Sequence, residues 1–301
     1  MKKTTMLRNL LKEPGLLVIP CAYDCISARM AQSVGFRALF MTGHGIRESQ
    51  LGLPDIGVAT ATEVVNITRN MVNSVNIPLM VDGDDGYGGA LSAYRTTQEI
   101  IRVGAAGMFI DDQKHPTKGP SWGIQEVLPR EEFLGKMGAV LEARDREDGD
   151  FVICARTDAA PVLGAEEMLA RVKACVELGV DVVLPHSIES VIPKTAVSVK
   201  EVFKKYYKAM GAPEVLIWGS GPSSFIAKDY AEIGAKLWVP GNPIPVVSQT
   251  LVNLYKGLYD TGTLDAFSPP GLPSRAYFNK LEGVESWNAL EKKYVVAKSG
   301  Y

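Results

Sequence analysis

The chain has 301 residues, 46% of them hydrophobic, and a formal net charge of −2. That is enough apolar material for one large core. The near-neutral balance and the lack of a long basic run argue against nucleic-acid binding. No apolar stretch approaches the ~20 residues of a membrane-spanning helix.

In chain order, "MKKTTMLRNLLKEPG" reads as a helix, because it lacks the apolar core and small-residue cleavage site of a signal peptide. Short apolar runs then recur: "LLVIPC" (16–21), "ALFMTG" (38–43), "PLMVDGD" (78–84), "GMFIDD" (107–112), "FVICAR" (151–156), "DVVLPH" (181–186), "EVLIWG" (214–219) and "KLWVPG" (236–241). Runs without polar alternation suit parallel strands buried on both faces. Amphipathic segments such as "LSAYRTTQEIIRV" separate most of them and read as helices. About eight strand–helix units predict a (β/α)8 TIM barrel. An open doubly wound sheet is the alternative, weakened because no phosphate-binding glycine motif follows the first run. The expectation is one barrel domain over 1–301. Its segment 113–132 is too long and polar for an ordinary connection and reads as a lid. The tail 262–301 reads as a linker and a helix around 283–297 that packs on a neighbouring subunit. Cys21, Cys25, Cys154 and Cys175 have no paired metal-ligand spacing and suit a reducing cytoplasm.

A barrel gathers its active site at the C-terminal ends of its strands. In "VDGDDGYGG" (81–89), Asp82 and Asp84 crowd carboxylates where a buried strand ends. Such carboxylates repel and are costly to desolvate, and a divalent cation relieves both problems. With Asp111 from the next strand they describe a hard-cation site, Mg2+ with Mn2+ as the alternative; zinc prefers His and Cys. The bland reading is a solvated acidic turn. In extended chain Asp82 and Asp84 face one side, while Asp85 and Asp112 alternate away. Arg156 in "ARTDA" is either a bidentate anchor for an anionic small molecule or half of a salt bridge to a barrel carboxylate. His186 either donates to a ligand oxygen or is structural. Gly43, His44 and Gly45 in "TGHG" offer consecutive amides to an anion, or form an ordinary glycine turn. Asn242, after the last strand, completes the candidate substrate contacts.

Several stretches, in the right order along nearly the whole chain, resemble the phosphoenolpyruvate mutase/isocitrate lyase superfamily: "VIPCAYDCISARMAQSVGF", "MTGHG…LGLPD", "VDGDDGYGG", "FIDDQ…P…K", "LPREEFLGKMGAVLEAR" and "ICARTDA". The resemblance implies a TIM barrel, a Mg2+ site, a gating loop and a homotetramer with exchanged C-terminal helices. It also implies a small 2-oxo or 2-hydroxy acid substrate with a second acid group, whose C–C or C–P bond is made or broken next to an enolate. By position, Asp82 and Asp84 match metal-binding aspartates, and Asp111 stands where the family has Glu. Asp55 in "GLPD" matches an aspartate near the reacting group. Gly43, His44 and Gly45 match the segment that meets the substrate carboxylate and enolate oxygen, and Arg156 matches the anchoring arginine.

The departures are as informative. The lyase loop pattern K-[KR]-C-G-H, whose Cys acts as acid, is replaced by "TKGPS" (117–121), with Gly119 in the Cys place. His186 in "PHS" stands where the lyases have Glu and looks like the phosphonopyruvate-handling branch. The mutase signature, "EDK" followed by "NS", is also missing, since 111–113 read "DDQ". The expectation is a Mg2+-dependent enzyme on phosphonopyruvate or oxaloacetate, with Asp55, Arg156 and His186 as catalytic residues. The alternatives are an isocitrate- or methylisocitrate-type lyase with a non-Cys acid, and a non-catalytic metabolite-binding relative.

Overall fold

Every apolar run becomes a parallel strand in the computed structural model, which describes residues 1–119, 123, 125–192, 199–211, 214–218, 225–263, 265–267 and 271–295. The chain divides into two compact units, Met1–Asn242 and Pro243–Tyr301.

The first unit opens with helix α1 (Lys3–Lys12), as the N-terminal pattern predicts, and strands β1 (Leu17–Val18) and β2 (Cys21–Ala22). There follow α2 (Cys25–Ser33), β3 (Leu39–Met41), α3 (Gly43–Ile46), a π-helical turn over Arg47–Leu51, α4 (Ala61–Ser74), β4 (Leu79–Asp82), α5 (Ala90–Arg102) and β5 (Gly107–Asp111). Next come α6 (Arg130–Glu147), β6 (Val152–Thr157), α7 (Ala159–Leu163), α8 (Ala165–Leu178) and β7 (Val182–Pro185). The unit ends with α9 (Val199–Met210), β8 (Leu216–Trp218), α10 (Ala227–Ile233) and β9 (Leu237–Val239).

Strands β2 to β7 pair in sequence order, and β1–β9–β8 form a second parallel sheet. Pro20, which has no N–H to donate, splits the first run. On one side of it Ile19 donates its N–H to the Trp238 carbonyl at 2.9 Å, and on the other Phe40 donates to the Pro20 carbonyl at 3.0 Å. That one segment therefore joins both sheets. At the other junction Val183 bridges Val215 in parallel. With the first run counted as one strand, this is the circuit of a (β/α)8 barrel.

Alternate strand residues enter two separate cores, which is why the runs are continuously apolar. Phe40, Met80, Phe109, Cys154, Leu184, Leu216 and Leu237 fill the interior, together with Leu7, Leu10 and Leu11 of α1. Leu39, Met41, Val81, Ile110 and Ile153 face outward onto Val64, Met71, Ile100, Phe133 and Val140 of the helices. Trp218 sets its edge against Phe40, with centroids 4.9 Å apart.

One polar network crosses the outer layer. Arg171 of α8 is fully buried; it donates to Asp112 Oδ2 at 2.9 Å, Glu167 Oε1 at 2.9 Å and the Leu128 carbonyl at 2.7 Å. Asp112 also accepts from Thr157 Oγ1 at 2.6 Å and from the Asp158 N–H at 2.9 Å. A helix is thereby fastened to the ends of β5 and β6.

The segment read as a lid is tied down where it is described: Gly57 donates to the Thr117 carbonyl at 2.8 Å, and Gly119 to the Asp55 carbonyl at 3.0 Å. Its residues 120–122 and 124 lie outside the described ones. In the second unit, α11 (Ile244–Thr261) has no buried residue. The helix expected around 283–297 is α13 (Val284–Tyr294); a further helix, α12 (Arg275–Glu282), precedes it and is separated from it by Gly283, whose φ of 75° glycine adopts without strain. Residues 296 and 297 lie outside the described ones. Among the described residues no helix is long and apolar enough to cross a membrane.

Removing one partner of a buried ion pair strands the other charge. Arg171→Met is therefore expected to lower unfolding stability by about 3 kcal/mol. Urea denaturation with unchanged stability in this variant would remove the network from the account of the fold.

Candidate active site

The strand ends surround a cavity of about 380 Å³. Asp82, Asp84, Asp111, Arg156, His186, His44 and Asp55 all line it. Gly43, Gly45 and Asn242 do not; Asn242 Oδ1 instead packs beside Gly45.

Asp82 ends β4 and is buried. Its Oδ2 accepts the Gly43 N–H at 2.9 Å and its Oδ1 the Asp84 N–H at 3.1 Å. A Cβ on residue 43 would stand 2.7 Å from that Oδ2, so glycine is what lets the two strand ends meet. The Gly45 N–H goes to Thr42 Oγ1 at 3.3 Å, so two of the three amides in this segment serve the protein itself.

The extended-chain reading of Asp82 and Asp84 needs correction. The strand stops at Asp82, and Asp84 has a left-handed φ of 45°, a conformation that Asp tolerates better than most residues. The turn carries the Asp84 carboxylate to Arg47 Nη1 at 2.6 Å and the Tyr87 hydroxyl at 3.2 Å. Asp85 and Asp112 do point elsewhere. Asp85 accepts the Tyr87 N–H at 2.9 Å and lies 3.3 Å from His115, and Asp112 belongs to the Arg171 network.

The electrostatics are those of excess negative charge. Burial, with the Asp84 charge beside it, pushes Asp82 up to about 7. Burial, reinforced by Asp158, Asp84 and Asp85 against Arg156, raises Asp111 well above the usual carboxylate range. Asp111 Oδ1 accepts the Gln113 N–H at 3.1 Å. Among the described residues no three His, Cys, Asp or Glu groups close into a ready-made ligand set. The donors therefore fit a hard cation held by one or two carboxylates and water, the habit of Mg2+, rather than a full protein cage.

Arg47 escaped the sequence reading. It is buried, and it bridges Asp84 and Asp55 with two 2.6 Å bonds while its Nε has no partner. Burial works against its charge, but Asp84, Asp82 and Asp55 outweigh this and raise its pKa. The available signal was an arginine directly after "TGHGI", at the end of the third strand's run.

For Arg156 the salt-bridge reading holds. It lines the cavity, but its Nε and Nη2 pair with Asp158 at 2.8 and 3.0 Å, so only Nη1 remains and a bidentate fork is not available to a ligand. Asp158 Oδ1 also meets His186 Nδ1 at 2.7 Å. With Nδ1–H donated there, Nε2 is the ring nitrogen available to a ligand. Burial alone would raise the Asp158 pKa, but Arg156 and His186 outweigh it and hold the carboxyl below the usual range. Gln113, Thr117, Lys118, Gly119, Ser187, Glu189 and Trp218 complete the wall. None of these seven has a spacing signature; each is found by lying near a strand end or on the long loop. A Cβ on Gly119 would fall onto the Asp55 carboxylate.

The phosphoenolpyruvate phosphomutase family model matches residues 7–246. The chain belongs to that family. Petal death protein from Dianthus caryophyllus is 34% identical over 299 residues, covering 97% of this chain and 89% of its own. The 2,3-dimethylmalate lyase of Eubacterium barkeri is 29% identical over 301 residues, covering 99% and 100%. The structure of oxaloacetate acetylhydrolase in complex with 3,3-difluorooxalacetate superposes with a TM-score of 0.86 at 27% identity, over 97% of both chains. The protein is thus a lyase- or mutase-type enzyme of the phosphoenolpyruvate mutase/isocitrate lyase superfamily, built on that superfamily's barrel.

A carboxyl held below its ordinary pKa stabilises the fold above that value and loses the contribution as pH falls. The stability difference between wild type and Asp158→Asn is therefore expected in full above about pH 5 and to shrink below about pH 4. Denaturation curves across that window check it; a difference that grows on acidification would contradict the pairing.

Proposed function

We propose that this enzyme cleaves a C–C bond in a small 2-oxo or 2-hydroxy dicarboxylate, with a divalent cation, through a pyruvate-enolate-like intermediate. One observation carries the choice of C–C over C–P. The cavity's arginines are already matched by carboxylates, Arg47 by Asp84 and Asp55 and Arg156 by Asp158, and Glu189 adds a further negative group. A phosphonate dianion needs surplus positive charge, whereas a carboxylate needs only one or two donors. Two relatives point the same way, since their names carry 2,3-dimethylmalate and oxaloacetate.

Asp82, Asp84 and Asp111 would hold Mg2+, or Mn2+, together with water. When bound, the ion supplies Lewis-acid polarisation of the substrate's carbonyl or hydroxyl oxygen. Arg156 Nη1 and, when the ring carries both protons, His186 Nε2–H donate to the distal carboxylate, and Asp158 orients both. Arg47 fixes Asp55 beside the reacting group. Lys118, which has no ion pair among the described residues, brings positive charge from the long loop. We also propose cytoplasmic action as a homotetramer built through the C-terminal tail. Four cysteines outside any disulfide support the first part. Exposed Val246, Val252, Tyr255 and Tyr259 on α11 and Trp287 on α13 support the second.

The test follows oxaloacetate, 2,3-dimethylmalate and phosphonopyruvate by NMR, with Mg2+ and then with chelator. Metal-dependent cleavage of a dicarboxylate is expected, with phosphonopyruvate unchanged. Faster turnover of the phosphonate would move the reaction to C–P chemistry, and conversion of none would favour a metabolite-binding protein. Asp82→Ala and Asp84→Ala are each expected to reduce metal-dependent turnover about 100-fold or more.

A further inference from the structure

An enolate left by bond cleavage must be protonated, and Gly119 supplies no side chain for this. The space in front of Gly119 is filled by Asp55, itself bonded to Arg47 Nη2 at 2.6 Å. The remaining titratable groups of the wall sort by geometry. Asp82, Asp84 and Asp111 form the acidic cluster. Arginine does not release its proton in proteins. His186 is committed to Asp158 through Nδ1. Among the described residues, the side chains of Lys118 and Glu189 have no partner that would aim them.

His44 is different. It lies one helical turn before Glu48, and its Nε2 meets Glu48 Oε1 at 2.9 Å. Its Nδ1 is 3.8 Å from Asp55 Oδ2, the carboxylate that fills the Gly119 space. The side chains of His44 and Glu48 are 42% and 39% exposed, so the imidazole lines the cavity and still exchanges protons with solvent. A carboxylate bound to one ring nitrogen orients the ring and fixes its tautomer, leaving the other nitrogen for chemistry.

We propose that His44, oriented by Glu48, is the proton-transfer residue of this site; the assignment rests on the enolate reading above. In the step His44 acts as the imidazolium, with Nε2–H held by Glu48, and the enolate carbon takes the proton from Nδ1. The enolate π pair becomes the new C–H bond, the carbonyl re-forms, and the ring, left neutral with its proton on Nε2, regains a proton at Nδ1 from solvent, which releases hydroxide when water is the donor. Glu48 is a positioning residue. The charged groups around His44 are Glu48 on its own helical segment, Asp55 with Arg47 behind it, and Lys118 on the long loop lining the same cavity.

Exchange of pyruvate methyl protons in D2O isolates this step from bond cleavage. Measured by NMR on the full chain with Mg2+, exchange is expected to fall at least about 100-fold in His44→Asn. Oxalate, a planar mimic of the enolate, should bind this variant within about threefold of wild type, because a proton-transfer group contributes to the transition state more than to binding. Glu48→Gln should show a smaller loss and a displaced pH profile. Undiminished exchange in His44→Asn, or a loss matched by an equal loss of oxalate binding, overturns the assignment and leaves the C–C cleavage reading standing. Absence of exchange in wild type, with no cleavage of any dicarboxylate, overturns both.

Discussion

The barrel collects carboxylates at its strand ends, and buried positive charge has to hold them there. Asp82, Asp84, Asp111, Asp112 and Asp158 are each at least nine-tenths buried. Desolvated carboxylates at such spacing would favour their neutral forms or an opened structure. Three arginines prevent this, and each does so differently. Arg171 serves Asp112 from the layer behind, Arg156 serves Asp158 from the cavity wall, and Arg47 spans Asp84 and Asp55. Asp82 and Asp111 are the two of these whose pKa values burial raises most clearly, even though Arg47 and Arg156 act against the rise at Asp82 and Arg156 does so at Asp111. The arginines thus offset the negative charge at the strand ends only in part.

The same compensation orders the site beyond the acids. Because Asp158 takes one edge of Arg156 and one nitrogen of His186, each residue has a single remaining nitrogen toward the cavity rather than a full fork or a free ring. Groups oriented in advance lose little entropy when a ligand binds. Asp112, by accepting from Thr157 and from the Asp158 N–H, connects this arrangement to α8. The polar chemistry at the mouth of the barrel is in this way anchored to its helical layer.

Gly119 shows how a missing side chain is integrated into its surroundings. Its N–H bonds the Asp55 carbonyl, and the Asp55 carboxylate occupies the volume a side chain would need. The long loop is therefore joined to the 55–57 segment by main-chain bonds at Thr117 and Gly119.

The amino-acid sequence by itself determined the barrel, since continuous apolar runs separated by amphipathic segments allow few other solutions than strands buried on both faces. It also determined which strand ends carry acids, because Asp82, Asp111 and Arg156 sit at or within one residue of where apolar runs end. Motif order determined the family. Only the tertiary structure decided the pairings. That Arg47 joins Asp84 to Asp55, that Asp158 claims both Arg156 and His186, and that Asp84 turns out of the extended line all depend on contacts between distant segments. Periodicity reports which face a residue takes within its own element, not which charge from another element it will meet. The left-handed turn at Asp84 and the volume Asp55 takes from Gly119 are consequences of packing, and no local pattern encodes them.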